Sequence, residues 1–150
     1  KGRCVTMDSA YMSDIMAQIS QYEWGINMVG TAQVNCTGAD AKATIITGMK
    51  TANRKGNHES HLWQHNNLPL VFAAWNGNAV VKPLSNFHSP IIIQGGVQRR
   101  IKIDKVRQRN PVGVPVPLQQ KEYSKTFHKI DKGNGAESKY DMGGNRYVYD

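Results

Sequence analysis

Cysteine is almost missing from this chain of 150 residues. Cys4 and Cys36 stand far apart, so neither a disulfide scaffold nor a cysteine-based zinc site can be built from them, and a reducing, intracellular setting is the expectation. Long apolar runs are missing too. None approaches the ~20 residues that cross a bilayer and none has the form of a signal peptide, so the expectation is a soluble protein without a membrane partner. Acids are scarce: 11 Asp and Glu stand against 19 Lys and Arg, a formal net charge of +8. Such an excess favours a polyanionic partner, most often nucleic acid. The glycines near position 133 lack the order of a dinucleotide or P-loop fingerprint. A disordered chain is excluded by 39% hydrophobic content and three Trp, enough for one domain with a core, or a core plus one insertion. No methionine precedes Lys1-Gly2-Arg3, which lead straight into an apolar segment. The expectation is a chain that starts partway through something larger.

What is present begins with Cys4 to Met7, small or β-branched residues that read as a buried strand stopping on Asp8. Uncompensated burial of a carboxylate costs several kcal/mol, roughly, so Asp8 is expected in water at the strand's open end, beside a cation, or on a metal. Ser13 to Trp24 reads as a helix with Ser13 as N-cap, Asp14 against the positive end of the dipole, and Ile15, Met16, Ile19 and Tyr22 on one face. Gly25 ends it, and residues 26 to 32 supply a second strand, which completes the spacing of a βαβ crossover. Asp40 is placed to cap a helix that ends near Gly48.

From His58 onward the pattern changes to strands at 60–64, 68–75 and 79–84, with the hairpin signal Asn76-Gly77-Asn78. This section reads as an antiparallel β insertion separate from the α/β part. Arg99, Arg100, Lys102, Lys105, Arg107 and Arg109 then crowd a short stretch against a single acid, Asp104. Either they guard an edge strand against aggregation, or they form a stripe that tracks phosphates with salt-dependent affinity. Pro111, Pro115 and Pro117 read as an extended linker, and residues from Lys121 to Asp131 as helical. The divisions expected are 1–50, an α/β core; 51–118, the β-rich insertion with its basic stripe; and 119–150, a return segment and tail.

Two groups of residues resemble the transposase domain of the piggyBac family. Asp8-Ser9-Ala10-Tyr11-Met12-Ser13 is similar to its strand-end motif, and Met28-Val29-Gly30-Thr31 with Asn35 to its Val-Gly-Thr strand. Tyr123-Ser124-Lys125-Thr126 followed by Asp131 resembles the segment bearing its third catalytic aspartate. The resemblance implies a partial RNase H-like α/β fold with a β-rich insertion, and a fragment of a cut-and-paste DNA transposase acting at TTAA targets in the nucleus. It implies Asp8 and Asp131 as catalytic metal ligands, and a first acid on a strand upstream of Lys1. Mg²⁺ or Mn²⁺ is the implied cofactor, transposon-end DNA the implied partner, and a homodimer is compatible with the full-length protein. Paired ions roughly 3.5 to 4 Å apart would activate the attacking hydroxyl and stabilise the leaving oxygen. In this sequence the family's paired glycines are His128 and Lys129, and its additional acid is Asn134, a carbonyl ligand without charge. Two other readings follow from these departures: a transposase-derived DNA-binding protein without catalysis, or a basic adaptor for protein contacts.

Of the remaining constellations, His58, His61 and His65 fall on different faces of an extended segment and make a poor metal set. Trp63, Trp75, Phe72 and Phe87 read as core residues before base-stacking ones. Cys4 reads as a buried small apolar residue rather than a nucleophile.

Overall fold

A computed structural model of the chain describes residues 3–51, 58–77, 79–103 and 106–127. Strand β1 (Cys4–Met7) leads through helix α1 (Asp14–Tyr22) to β2 (Asn27–Thr31), and β2 lies parallel to β1 with Met7 opposite Gly30. The crossover read from sequence is therefore present. Ser13 caps α1 as expected, its Oγ accepting from the Met16 N–H at 3.1 Å. At the other end Gly25, at φ 60°, turns the chain so that the Ile26 N–H bonds back to the Ser20 carbonyl.

Helix α2 (Ala39–Thr51) starts two residues earlier than expected, with the Gly38 carbonyl taking the first helical bond from Lys42, so Asp40 sits inside its first turn. Strands β3 (Ser60–Gln64), β4 (Val71–Asn76), β5 (Val80–Val81) and β6 (Pro83–Ser85) follow, and β4 and β5 form the hairpin that Asn76-Gly77 signals. These strands are not set apart from the α/β segment. β6 pairs antiparallel with β2, so one sheet runs in the order β1, β2, β6, β4, β3, with β5 beside β4. Pairing between residues some fifty positions apart leaves no local pattern to read.

β7 (Ile92–Arg99) and β10 (Val112–Pro117) form a separate antiparallel ribbon, and β8 (Lys102–Ile103) and β9 (Val106–Arg107) a small hairpin between them. The proline-rich segment is thus a paired strand rather than a free linker. It tolerates Pro115 because the register shifts between Val114 and Val116, a bulge at which no ladder bond from residue 115 is needed. Helix α3, over 118–127, follows directly.

Two cores result. On one face of the sheet Met12, Ala17, Met28, Ala41, Phe72 and Ala74 pack with α1 and α2; on the other, Trp75, Val114 and Val116 hold the ribbon against β4. β4 is buried along its whole length because it has a core on each side. The mixed α/β architecture is compatible with a partial RNase H-like fold.

The burial of the first two elements differs from the sequence reading. β1 is an edge strand, and Cys4 and Val5 are exposed. α1 buries Ala17 and Ser20, whereas Ile15, Ile19 and Tyr22, the apolar stripe, face outward with Ile15 64% exposed. Small side chains let the helix lie close on the sheet, and the larger residues are left on its outer side.

Candidate functional site

Asp8 stands at the carboxyl end of β1, exposed, where the ladder stops. Its backbone carbonyl accepts from the Tyr11 and Met12 N–H groups, and its Oδ1 accepts from the Ser9 N–H, so the turn that follows the strand fixes the residue. Asp8 therefore lies open to solvent at the strand end, with no charge partner among the described residues.

The strand beneath Asp8 is held unusually close. A Cβ on Gly30 would collide with the carbonyl oxygen of Met7, so only glycine lets β2 approach the last residue before the acid. Below that lies a buried pin that sequence reasoning missed. Asn86, fully buried, accepts from the Met28 N–H at 2.7 Å and donates to the Ala17 carbonyl, Ser20 Oγ and Ile26 carbonyl at 2.9, 2.9 and 3.1 Å. One amide thus ties α1, the turn after it and the start of β2 to the end of β6. The only hint in sequence is an Asn beside a predicted strand end, which is common in turns.

α3 lies along the opposite face of β1 from α1. Met7 packs on the helix-side core, while Thr6 points the other way and its Oγ1 is 2.8 Å from Thr126 Oγ1. Four residues earlier, Glu122 is near enough to Cys4 for its carboxylate to add to partial burial in pushing that thiol's pKa up. From 122 to 126 a helix advances about 6 Å, and from 4 to 6 a strand advances about 6.6 Å. The two elements run in one direction and keep pace. Tyr123 is buried and stacks on Phe127 at 5.0 Å, and Ser124 donates to the Gln120 carbonyl, so the segment read as the approach to the third acid is a packed helix. Asp131 and Asn134 lie outside the described residues.

Magnesium prefers hard oxygen donors and keeps some of its waters. Asp8 fits as one such donor, being a solvent-open carboxylate with no ion-pair partner among the described residues. Among the described residues no three His, Cys, Asp or Glu side chains gather into a metal-binding group.

The basic residues separate into two kinds. Arg100, Arg107 and Arg109 are exposed, and Lys102 stands directly opposite Arg107 in the β8–β9 register. Arg99 instead lies with its guanidinium carbon 5.9 Å from the Trp75 ring centroid, its Nε buried. Lys105 lies outside the described residues. The histidines are dispersed: His58 sits by Trp75, His61 pairs with Ala74 in the β3–β4 ladder, and His65 Nδ1 accepts from the Asn67 and Leu68 N–H groups. Burial lowers the pKa of His58, aided by nearby Arg99, and also that of His88, where Glu122 works in the opposite direction. Trp75 and Phe72 are core residues, and Phe87 is partly exposed. No described helix is long and apolar enough to cross a membrane.

Residues 1–146 match the family model described as Transposase IS4. No curated protein and no solved structure matches the chain.

Proposed function

The chain belongs to the IS4 family of DDE transposases, and from that premise we propose that it carries part of a metal-dependent DNA strand-transfer centre with Asp8 and Asp131 as its carboxylates. The observation that supports this most directly is the shared direction of β1 and α3. Thr6 meets Thr126, two residues further along the strand is Asp8, and five residues further along the chain from Thr126 is Asp131. Asp8 and Asp131, with Asn134 as a neutral carbonyl donor, would hold Mg²⁺ or Mn²⁺, and such an ion supplies Lewis-acid activation of the attacking hydroxyl and charge stabilisation at the leaving oxygen. The protein's own part is to hold the Asp8 carboxylate in place: the Ser9 N–H orients Oδ1, Gly30 lets β2 clamp Met7, and Asn86 fixes the start of β2.

DNA is the substrate class that a transposase domain implies. The exposed Arg100, Arg107 and Arg109, with Lys102 and Lys105, make the region of the β8–β9 hairpin the proposed backbone-contacting side. Lys102 and Arg107 are register partners in that hairpin, and a run of basic residues there would track phosphates with salt-dependent affinity. Such a run also supports the second reading, DNA binding without chemistry. We further propose the piggyBac-type version of the activity, with cut-and-paste transfer to TTAA targets in the nucleus, on the strength of the Asp8 to Ser13 and Tyr123 to Asp131 segments. The first carboxylate is then proposed on a strand beside the open edge of β1.

The test uses the transposase polypeptide that contains this chain, incubated with transposon-end DNA and Mg²⁺. Asp8→Asn is expected to lower cleavage by about a thousandfold or more, as loss of a stabilising group at a reacting centre does, while DNA retention in a mobility-shift assay stays unchanged. Undiminished cleavage by the variant would overturn the assignment of Asp8. DNA binding with no metal-dependent nicking by the parent protein would select the second reading.

A further inference from the structure

A helix packed on a sheet ordinarily turns its apolar stripe inward; α1 does the reverse. Ile15, Ile19 and Tyr22 are 64%, 39% and 62% exposed, and Trp24, just past the C-cap, is 54% exposed, while the small Ala17 and Ser20 take the sheet side. Steps of four and then three residues put Ile15, Ile19 and Tyr22 on one seam, the spacing by which one helix packs along another. The four side chains leave on the order of 400 Å² of mostly apolar surface open, about half of what one partner brings to a stable interface.

The charge around that seam is unlike the rest of the chain. Residues 4–41 contain no Lys or Arg, although the whole chain has 19, and they carry four acids, Asp8, Asp14, Glu23 and Asp40. At about 100° per residue, Asp14 and Glu23 fall on opposite sides of the seam. Neither forms an ion pair among the described residues. A phosphate backbone is repelled by such a face. A second copy fits it poorly too, because an antiparallel pairing of two α1 helices sets each Asp14 on the side of the other copy's Glu23, with no cation from either seam to offset them. The open area alone is also short of what a stable dimer buries. The complementary occupant is a helix whose own seam is apolar and whose flanks are basic, a helix-on-helix contact in which the flanking charges select the partner. We propose that the outer face of α1 docks one amphipathic helix of another protein segment, its apolar side on Ile15, Ile19 and Tyr22 and its Lys or Arg flanks beside Asp14 and Glu23. The site stands independently of the catalytic reading of Asp8.

Two labelled helical peptides with the same Leu stripe, one with Lys and one with Glu at all other positions, are titrated into the 150-residue chain and followed by fluorescence anisotropy. The net charge of +8 favours the Glu peptide over the surface as a whole, so a preference for the Lys peptide points to this acid-flanked face. The expected result is saturable binding of the Lys peptide at one site per chain, tighter than that of the Glu peptide. Ile15→Gln and Tyr22→Gln, both at exposed positions and checked for native helix content by far-UV circular dichroism, each weaken it about tenfold or more, which corresponds to about 1.4 kcal/mol. Glu23→Lys, which places a cation where the helix dipole favours one, shifts the preference toward the Glu peptide. Equal or tighter binding of the Glu peptide by the parent chain, or unchanged affinity for the Lys peptide in Ile15→Gln, would overturn the proposal. A dimer seen by sedimentation that Ile15→Gln dissociates would overturn it as well and assign the face to a second copy.

Discussion

Replacing Asn86 with Ala removes a side chain that ties α1, the following turn and β2 to the end of β6. The partners do not suffer equally. Ser20 Oγ still donates to the Ala17 carbonyl at 2.9 Å, so both of those groups keep a bond. The Met28 N–H and the Ile26 carbonyl lose theirs. Each buried orphan costs about 1–3 kcal/mol, so Asn86→Ala should cost about 2–6 kcal/mol, a large share of the 5–15 kcal/mol typical of a whole domain. For a chain of this size about 2–4 °C accompanies each kcal/mol, which places the expected fall in Tm between about 4 and 24 °C. Ser20→Ala should cost much less, because Asn86 retains its other partners. Thermal unfolding followed by far-UV circular dichroism measures both. If Asn86→Ala shifts Tm by less than about 2 °C, or by no more than Ser20→Ala, the pin does not hold the crossover and the reasoning fails.

Gly30→Ala drives a methyl into the Met7 carbonyl, a backbone atom that cannot swing away; it should destabilise by about 1–3 kcal/mol and lower DNA cleavage by the full transposase. Unchanged cleavage in Gly30→Ala would show that the position of Asp8 does not depend on β2. Stability should also fall as pH drops. His58 and His88 both have folded pKa values below that of a free imidazole, so the unfolded chain takes up protons that the folded chain refuses, and stability that is complete above about pH 6.5 declines toward the folded values. Urea midpoints at pH 7.5 and 5.0 measure this, and His88→Gln should flatten the difference; a midpoint that rises on acidification contradicts the burial of both rings.

Local chemistry was easy to read where it was also sufficient. Ser13 and Gly25 bracket α1 because capping and left-handed turns are decided within a few residues, and the β3 limits follow from its flanking polar breaks. Burial was harder. Ile15, Ile19 and Tyr22 form a clean helical stripe, yet the sheet takes the Ala17 and Ser20 side, since how closely a helix can lie depends on the partner surface and not on its own periodicity. The prolines of β10 concealed a strand because a bulge can absorb a missing donor, and the inclusion of β6 beside β2 depends on contacts remote in sequence. Of the candidate site, the position of Asp8 at a strand end was legible from the abrupt change at Met7. The diversion of Arg99 from the exposed cations to the Trp75 ring was not, because a run of charges carries no sign of which member has an aromatic neighbour.

β4 has a consequence for how freely the protein can vary. An ordinary sheet strand alternates between a demanding inner row and a permissive outer one, whereas Phe72 and Ala74 belong to one packed layer and Trp75 to the other. No residue along it has a permissive side. Across residues 71 to 76 a complete substitution scan should therefore lose the every-other-position rhythm and read as uniformly intolerant, with harm done to the helical side or to the ribbon side according to the parity of the position.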